Sequence, residues 1–424
     1  MEVFFRNPSI FPIKRLKPKY QGGSQLPPFF VDCICVRGVY STMAKRIIVI
    51  VLDSVGCGGA PDSARYGDEG ADTLGHLFKG IAWLRLPNLD SLGLARLMGR
   101  NVQTQIREFS HAFRLTESSA GKDTTTGHWE LMGCLTMEPF LTCDVYPDDF
   151  LDELAEAGGT SFIGNRAASG TMILEEHGEE HLRTGKPILY TSADSVLQIA
   201  AHEESFGLQR LLEICQTARR ILDARGMRVG RVIARPFLGD SLAGFRRTAN
   251  RHDYSLIPGE TALDRLLMRG VNIIGIGKIS DIFAGKGISE SYPTKDNRAG
   301  MERIDQLWLT PSASNSLVLA NLVDFDSLYG HRRDPSGYAQ CLIEFDDWLG
   351  GFLSKIGVED LLVITADHGN DPYHRGTDHT REQVPCLVVS NGSFDSEDMH
   401  TFSDVARVVE SYFGLNENLP RCEI

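Results

Sequence analysis

No stretch of the chain approaches the roughly 20 consecutive apolar residues that a membrane-spanning helix needs. The apolar run Ile47–Leu52 is six residues long, so no membrane span is expected. Basic residues are in deficit, 43 Lys and Arg against 56 Asp and Glu, giving a formal net charge of −13. Such a surface lacks the positive footprint that binding to a phosphate backbone requires, which argues against nucleic acid as a partner. Paired cysteines are missing too. The nine Cys are odd in number and scattered without disulfide or metal spacing, only Cys33 and Cys35 lying close together. This reads as a reducing, cytoplasmic setting. Internal repeats and low-complexity tracts are also lacking. What is present is an ordinary globular composition, 42% hydrophobic and 23% charged, over 424 residues. That length suggests two or three domains at about 150 residues each.

The first 43 residues differ from the rest. Arg6, Lys14, Arg15, Lys17, Lys19 and Arg37 outnumber Glu2 and Asp32 in an otherwise acidic chain, and Pro8, Pro12, Pro18, Pro27 and Pro28 interrupt any helix or strand. The segment lacks the Ser-rich amphipathic pattern of a transit peptide and the apolar core of a secretion signal. It is read as a disordered extension or a misassigned start, with the folded chain opening at Met43.

From Arg46 onward, short β-branched runs alternate with segments of helical period, the pattern of an α/β protein with a mostly parallel sheet. Ile47–Leu52, Asn272–Ile276, Ser316–Val323, Leu361–Thr365 and Cys386–Val389 read as buried strands. Tyr338, Cys341, Leu342, Phe345, Trp348, Leu349, Phe352 and Leu353 form one helical stripe behind the Asp334-Pro335 start signal. Val405, Val408, Val409, Tyr412 and Phe413 mark a last helix stopped by Gly414. The rhythm breaks between about Pro139 and Tyr254, where an acidic helix at 148–157 and strands near Ile188–Thr191 and Arg231–Ala234 suggest an inserted α+β cap. The expected organisation is core at 44–138, cap at 139–254 and core again at 255–424.

Four polar clusters follow predicted strands, where open α/β sheets place their ligands. They are Asp53-Ser54, Asp326 with His331, Asp367-His368 and Asp378-His379 in the next loop. An Asp after a strand is most often a turn or cap, and a lone His is most often structural. Together, however, three carboxylates and three imidazoles form a mixed O/N set suited to two divalent cations. Two such ions need more negative charge than Asp53, Asp326 and Asp367 return, so a further anion is wanted. Thr124, Thr125 and Thr126 offer hydroxyls that metal contact would activate, within Gly-Lys-Asp-Thr-Thr-Thr-Gly-His-Trp-Glu at 121–130. Spacing alone does not choose among the three.

Several of these segments are similar to the phosphopentomutases of the alkaline phosphatase superfamily. The core ones are Val-Leu-Asp-Ser-Val-Gly at 51–56, Gly-Lys-Asp-Thr at 121–124, Thr-Gly-His-Trp-Glu at 126–130 and Thr-Ala-Asp-His-Gly-Asn-Asp at 365–371. Others are Tyr-Thr-Ser-Ala-Asp-Ser-Val at 190–196, Gly-Arg-Val-Ile-Ala-Arg-Pro-Phe at 230–237, Asn-Arg-His-Asp-Tyr at 250–254, Gly-Lys-Ile-Ser-Asp-Ile at 277–282 and Asn-Leu-Val-Asp-Phe-Asp at 321–326. The match runs from about Ala44 to the C-terminus, and the cap segments make it specific. Departures are Thr125, where an apolar residue is expected, and residues 1–43, which have no counterpart.

The resemblance implies an alkaline phosphatase-like core and two divalent ions, typically manganese. One would sit on Asp53, Asp367, His368 and the Thr124 oxygen, the other on Asp326, His331 and His379. It also implies Thr124 as the phosphoryl carrier, Ser192, Asp194, Arg231, Arg247 and Lys278 as sugar-phosphate contacts, and a sugar bisphosphate activator. The implied reaction interconverts ribose 1-phosphate and ribose 5-phosphate, and the deoxyribose analogues, with sugar phosphates as the only partners expected. The alternatives are a metal-dependent phosphohydrolase, a phosphoglycerate-type mutase, which would want a Ser nucleophile, and a catalytically silent sugar-phosphate sensor.

Overall fold

Fully buried aliphatic runs pair at the centre of the molecule, as a parallel sheet covered on both faces requires. The computed structural model describes residues 44–192, 195–242, 244–310, 314–390, 398–415 and 422–423, so the reading of residues 1–43 lies outside it. The described residues fall within one unit, Met43–Ile424. Its principal strands are β1 (Arg46–Leu52), β2 (Ser110–Leu115), β3 (Cys134–Leu135), β4 (Ile163–Ala167), β5 (Ile188–Thr191), β6 (Val196–His202) and β7 (Arg231–Leu238). They continue with β8 (Arg246–Arg247), β9 (His252–Ser255), β10 (Asn272–Ile276), β11 (Glu290–Tyr292), β12 (Ser316–Leu322), β13 (Asp360–Thr365) and β14 (Val384–Ser390). Among the described residues, no helix is long and apolar enough to cross a membrane.

The larger sheet has the order β11-β10-β12-β1-β13-β14-β2. The first five strands run parallel, whereas β14 is antiparallel to both β13 and β2. The expected α/β class with a mostly parallel sheet is therefore observed, and β2 is an addition: its Ser-His-Ala-Phe-Arg-Leu run is only partly buried and lies at the sheet edge. β1 is central, and Leu52 pairs in register with Leu322 while Val51 pairs with Thr365. Parallel neighbours end at the same edge, so this register brings the residues after β1, β12 and β13 to one place. The chain turns sharply there, since Ser54 adopts a left-handed φ of 71° that lets its amide face Asp367.

Helices cover both faces. The Pro335–Phe352 helix starts as the sequence signals, with the Asp334 side chain accepting from the Gly337 amide and Pro at its first turn, and it buries Tyr338, Leu342, Phe345, Leu349 and Phe352. The last helix spans Ser403–Tyr412. The smaller sheet, β4-β5-β6-β7-β8 with β9 paired on β7, is built wholly from residues between Ile163 and Ser255. It has its own apolar cluster, in which Phe150 and Leu154 of the Asp148–Gly158 helix meet Leu211, Ile214 and Leu222 of the Leu208–Ala224 helix.

The short Thr124–Leu131 helix is fixed against the sheet edge. The Asp123 side chain caps it by accepting from the Thr125 and Thr126 amides, and Trp129 donates its indole N–H to the Ile282 carbonyl at 2.9 Å. Gly127 permits the approach, because a Cβ there would stand 2.1 Å from the Asp367 carbonyl oxygen. Gly127→Ala adds about 1 kcal/mol of helix propensity. It also forces two backbones apart, at about 1–3 kcal/mol for overpacking. A net loss of stability is expected in urea unfolding, and a variant as stable as the parent would contradict this packing.

Candidate functional site

Asp53, at the end of β1, and Asp367, two residues beyond β13, are fully buried side by side. Asp53 Oδ2 accepts from Asn321 Nδ2 at 3.0 Å, and Asp367 Oδ1 accepts from the Ser54 amide at 3.1 Å. Their other oxygens, Asp53 Oδ1 and Asp367 Oδ2, have no hydrogen-bond partner. His368 Nε2 faces both, 3.4 Å from Asp53 Oδ1 and 3.5 Å from Asp367 Oδ2, and the Thr124 hydroxyl lies 3.1 Å from the same nitrogen. Of the three threonines, Thr124 is thus the one at the carboxylate cluster. Thr126 instead donates its hydroxyl to Asp123 as part of the helix start.

A second group adjoins the first. Asp326 Oδ2 lies 3.1 Å from His331 Nε2, and Asp326 Oδ1 lies 3.4 Å from His379 Nε2. The two imidazole nitrogens are 3.1 Å apart, and the His379 ring stacks on His368 with centroids 3.9 Å apart. Backbone carbonyls set the far side of each ring: His331 Nδ1 meets Thr377 O at 2.7 Å, and His379 Nδ1 meets Lys122 O at 3.0 Å. Carbonyls only accept, so both Nδ1 atoms carry a proton, and the Nε2 atoms are the ones turned toward Asp326.

Donor atoms of Asp53, Asp367 and His368 all lie within 4.8 Å of one another, as do those of Asp326, His368 and His379. All six metal-ligand candidates from the sequence therefore meet at one edge of the sheet, with His368 between the two groups. Orphaned buried carboxylate oxygens beside imidazole nitrogens are a donor set that fits divalent cations. Electrostatics agrees. Burial and then the neighbouring Asp367 raise the pKa of Asp53. Burial alone would lower the His368 imidazole, but Asp367, Asp53 and Asp326 outweigh it and hold that group well above its ordinary value. For Asp326, burial works to raise the pKa, and the bonds to His331 and His379 bring it far below the usual carboxylate range.

Of the braces around the cluster, sequence reasoning missed Arg381, Lys122 and Glu130. The Arg381 guanidinium, two residues past His379, bonds both oxygens of Asp62, the Glu117 carboxylate and carbonyl, and the Gly121 carbonyl. Lys122 spans Asp68 at 3.1 Å and Asp378 at 3.2 Å. Glu130 accepts from the Ser118 and Ser119 amides. Arg333, close after His331 and one of two arginines that the sequence suggests as braces of the site or the cap contact, bonds Gly376 O, Asn370 Oδ1 and Asp378 O, and Asn370 in turn donates to Asp326 at 2.7 Å. The Arg381 and Lys122 pairs join segments far apart in the chain, so no local spacing announces them; the polar run Thr380-Arg381-Glu382 beyond His379 is the one visible sign.

Of the expected sugar-phosphate contacts, Arg231 and Arg247 have partners of their own. Arg231 is 3.6 Å from Asp253, and Arg247 Nη2 donates to the Tyr190 hydroxyl at 3.3 Å. Ser192 follows β5, and Lys278 is exposed after β10. Asp194 lies outside the described residues. Among those described, no hydrogen bond or ion pair joins Ser192, Arg231, Arg247 or Lys278 to the carboxylate and imidazole cluster. Arg235 stands with Arg247 and Arg251 close by, and burial with these like charges lowers its pKa.

Known proteins resemble the chain across this whole region. A family model described as the metalloenzyme superfamily matches residues 45–417. A phosphopentomutase of Symbiobacterium thermophilum is 50% identical over 365 residues, covering 85% of this chain and 92% of that protein. One from Clostridium botulinum is 47% identical over 381 residues, covering 88% and 95%. Among solved structures, the PH0037 protein of Pyrococcus horikoshii is 14% identical with a TM-score of 0.47, covering 89% of this chain and all of that one. Leishmania mexicana phosphoglycerate mutase is 12% identical with a TM-score of 0.46, covering 90% and 98%.

The Arg381 brace is testable by itself. Its side chain and that of Glu117 are each 2% exposed, so Arg381→Met strands a buried carboxylate. A loss of about 3–5 kcal/mol is expected in urea unfolding. Adding Glu117→Gln should recover part of it, because the stranded charge is then gone. Equal stability of the single and double variants would show that the pair is not coupled.

Proposed function

The chain belongs to the phosphopentomutases of the metalloenzyme superfamily, and on that premise we propose that Thr124 carries the phosphoryl group in the interconversion of ribose 1-phosphate and ribose 5-phosphate. The enzyme is an isomerase acting on pentose phosphates, and the deoxyribose analogues belong to the same reading. The observation that carries the assignment is the Thr124 hydroxyl, 3.1 Å from His368 Nε2 and at the first turn of a capped helix. A helix N-terminus favours the negative charge a phosphothreonine brings.

Two divalent cations, manganese in this reading, would be held by Asp53, Asp367, His368 and Thr124 on one side and by Asp326, His331 and His379 on the other. When bound they supply Lewis-acid stabilisation of the transferring phosphoryl group and lower the pKa of the threonine hydroxyl. The remaining work falls to the chain. Phospho-Thr124 gives its phosphoryl group to the free hydroxyl of the pentose phosphate, and the resulting sugar bisphosphate returns its other phosphoryl group to the Thr124 oxygen. A sugar bisphosphate would also serve as activator by first phosphorylating Thr124. Arg231, Arg247 and Lys278 suit the non-transferring phosphate, since guanidinium forks grip it bidentately, while Ser192 and Asp194 suit ribose hydroxyls. A cap over the site would keep water from the phosphothreonine.

A phosphohydrolase needs only the nucleophile and the cations, whereas a mutase must retain a bisphosphate long enough to present its second phosphate. A silent sensor would have lost a ligand or the nucleophile, and all of those candidate positions are filled. The relatives' names favour pentose over phosphoglycerate, in keeping with Thr124 where the latter class would want Ser.

The test is the ratio of pentose-phosphate isomerisation to phosphate release with manganese present. Thr124→Ala is expected to abolish both while leaving the fold intact. The double variant Arg231→Met, Arg247→Met should depress isomerisation far more than hydrolysis of a small activated phosphate ester, which never uses the remote grip. If the parent protein releases phosphate from ribose 5-phosphate faster than it isomerises it, the mutase reading fails.

A further inference from the structure

His128 lies one turn beyond Thr124 on the same helix and is buried, with its side chain 1% exposed. Its Nδ1 is 2.8 Å from the Thr124 carbonyl oxygen and 3.1 Å from Asp367 Oδ2. A carbonyl only accepts, so Nδ1 carries a proton, and that N–H sits between the nucleophile's own residue and a carboxylate of the cation cluster. Nε2 is buried with no partner, so the ring's polar work is done entirely at Nδ1. Beside it, Gly127 seats the helix directly on the Asp367 backbone. Asp367 Oδ2 accepts no hydrogen bond, the Ser54 amide being held by Oδ1, and His128 Nδ1 lies 3.1 Å from it.

We propose that His128 is a positioning residue: its Nδ1–H, bonded to the Thr124 carbonyl and 3.1 Å from Asp367 Oδ2, keeps that carboxylate and the first turn of the Thr124 helix in one frame, and so governs both cation affinity and the placement of the nucleophile. The inference deepens the reading of Thr124 as phosphoryl carrier and rests on it only for its kinetic half. Asp367 and Thr124 come from segments more than two hundred residues apart, one after β13 and one on a helix fixed by its cap, and a single N–H lying beside both aligns the two without touching substrate. Groups that orient ligands in this way commonly change metal affinity by about 10–100-fold when removed.

Two amide side chains separate positioning from packing. In His128→Asn the amide nitrogen takes the place of Nδ1 and keeps the donor, although ring volume is lost. In His128→Gln the amide reaches the place of Nε2, so volume is better kept and the donor at Nδ1 is lost. The readouts are manganese affinity of the metal-stripped proteins by calorimetry, thermal unfolding without metal, and kcat against KM at saturating manganese. Asn is expected within about threefold of the parent in affinity, Gln to be weaker by about 10-fold or more. Gln should also lose kcat with KM little changed. Should Gln fail to fold, Asn decides alone: parent-like affinity supports the proposal, and a loss comparable to that of His128→Leu overturns it. Equal impairment of Asn and Gln, or parent-like behaviour of Gln, also overturns it and leaves His128 a packing residue. If the parent lacks mutase activity while the Asn and Gln affinities still diverge, the functional reading fails and the positioning role stands.

Discussion

Asp53 and Asp367 place two carboxylates in the dry end of a hydrophobic sheet, within reach of one imidazole. Two like charges about 4 Å apart repel by about 4 kcal/mol even at an effective dielectric of 20. Each also forfeits hydration on burial. Nothing in an aliphatic core relieves this, so the surrounding structure consists largely of groups that do. The Ser54 amide, Asn321 and His368 each answer one oxygen or one pair, and two oxygens are left with no donor at all. A core that leaves such atoms exposed to one another is poised for positive charge from outside the chain.

This constraint accounts for local geometry that otherwise has no reason. Ser54 takes a left-handed backbone angle that a non-glycine residue adopts only at some cost, and in exchange its amide points at Asp367. Gly127 removes a Cβ that would hold the Thr124 helix away from the Asp367 carbonyl. The outer braces, Arg381 to Glu117 and Asp62 and Lys122 to Asp68 and Asp378, hold the loops on either side of the Thr124 helix at the same edge.

What was legible in the sequence follows from the same physics. β1, β12 and β13 read plainly because a strand buried on both faces is a continuous aliphatic run, and the Asp residues following such runs are conspicuous where water is excluded. The Pro335–Phe352 helix announced itself through its cap, proline and stripe. β2 did not, because its mixed Ser-His-Ala-Phe-Arg-Leu run is stabilised mainly by pairing with β14, from the far end of the chain. His128 and Arg381 were equally silent. Each acts across more than two hundred residues, on Asp367 in one case and on Glu117 and Asp62 in the other, and a side chain whose partners are that remote leaves no periodicity to detect. The cap contacts were chosen by family likeness alone, and the arrangement of Arg231, Arg235, Arg247 and Arg251 around Tyr190 and Asp253 could not have been drawn from spacing.

The central position of β1 also has a bearing on how the chain comes to be folded. Among the described residues it is the first strand in the chain, yet its two neighbours are β12 and β13, both beyond residue 315. An emerging chain therefore carries an unpaired aliphatic strand through most of its synthesis, while the smaller sheet between Ile163 and Ser255 closes on partners close in sequence. Contacts that span most of a chain form slowly, and segments that wait for them are the ones prone to aggregate. The topology therefore favours early condensation of the smaller sheet, whereas the sheet that bears the carboxylate and imidazole cluster gains its central pairings only once β12 and β13 are made.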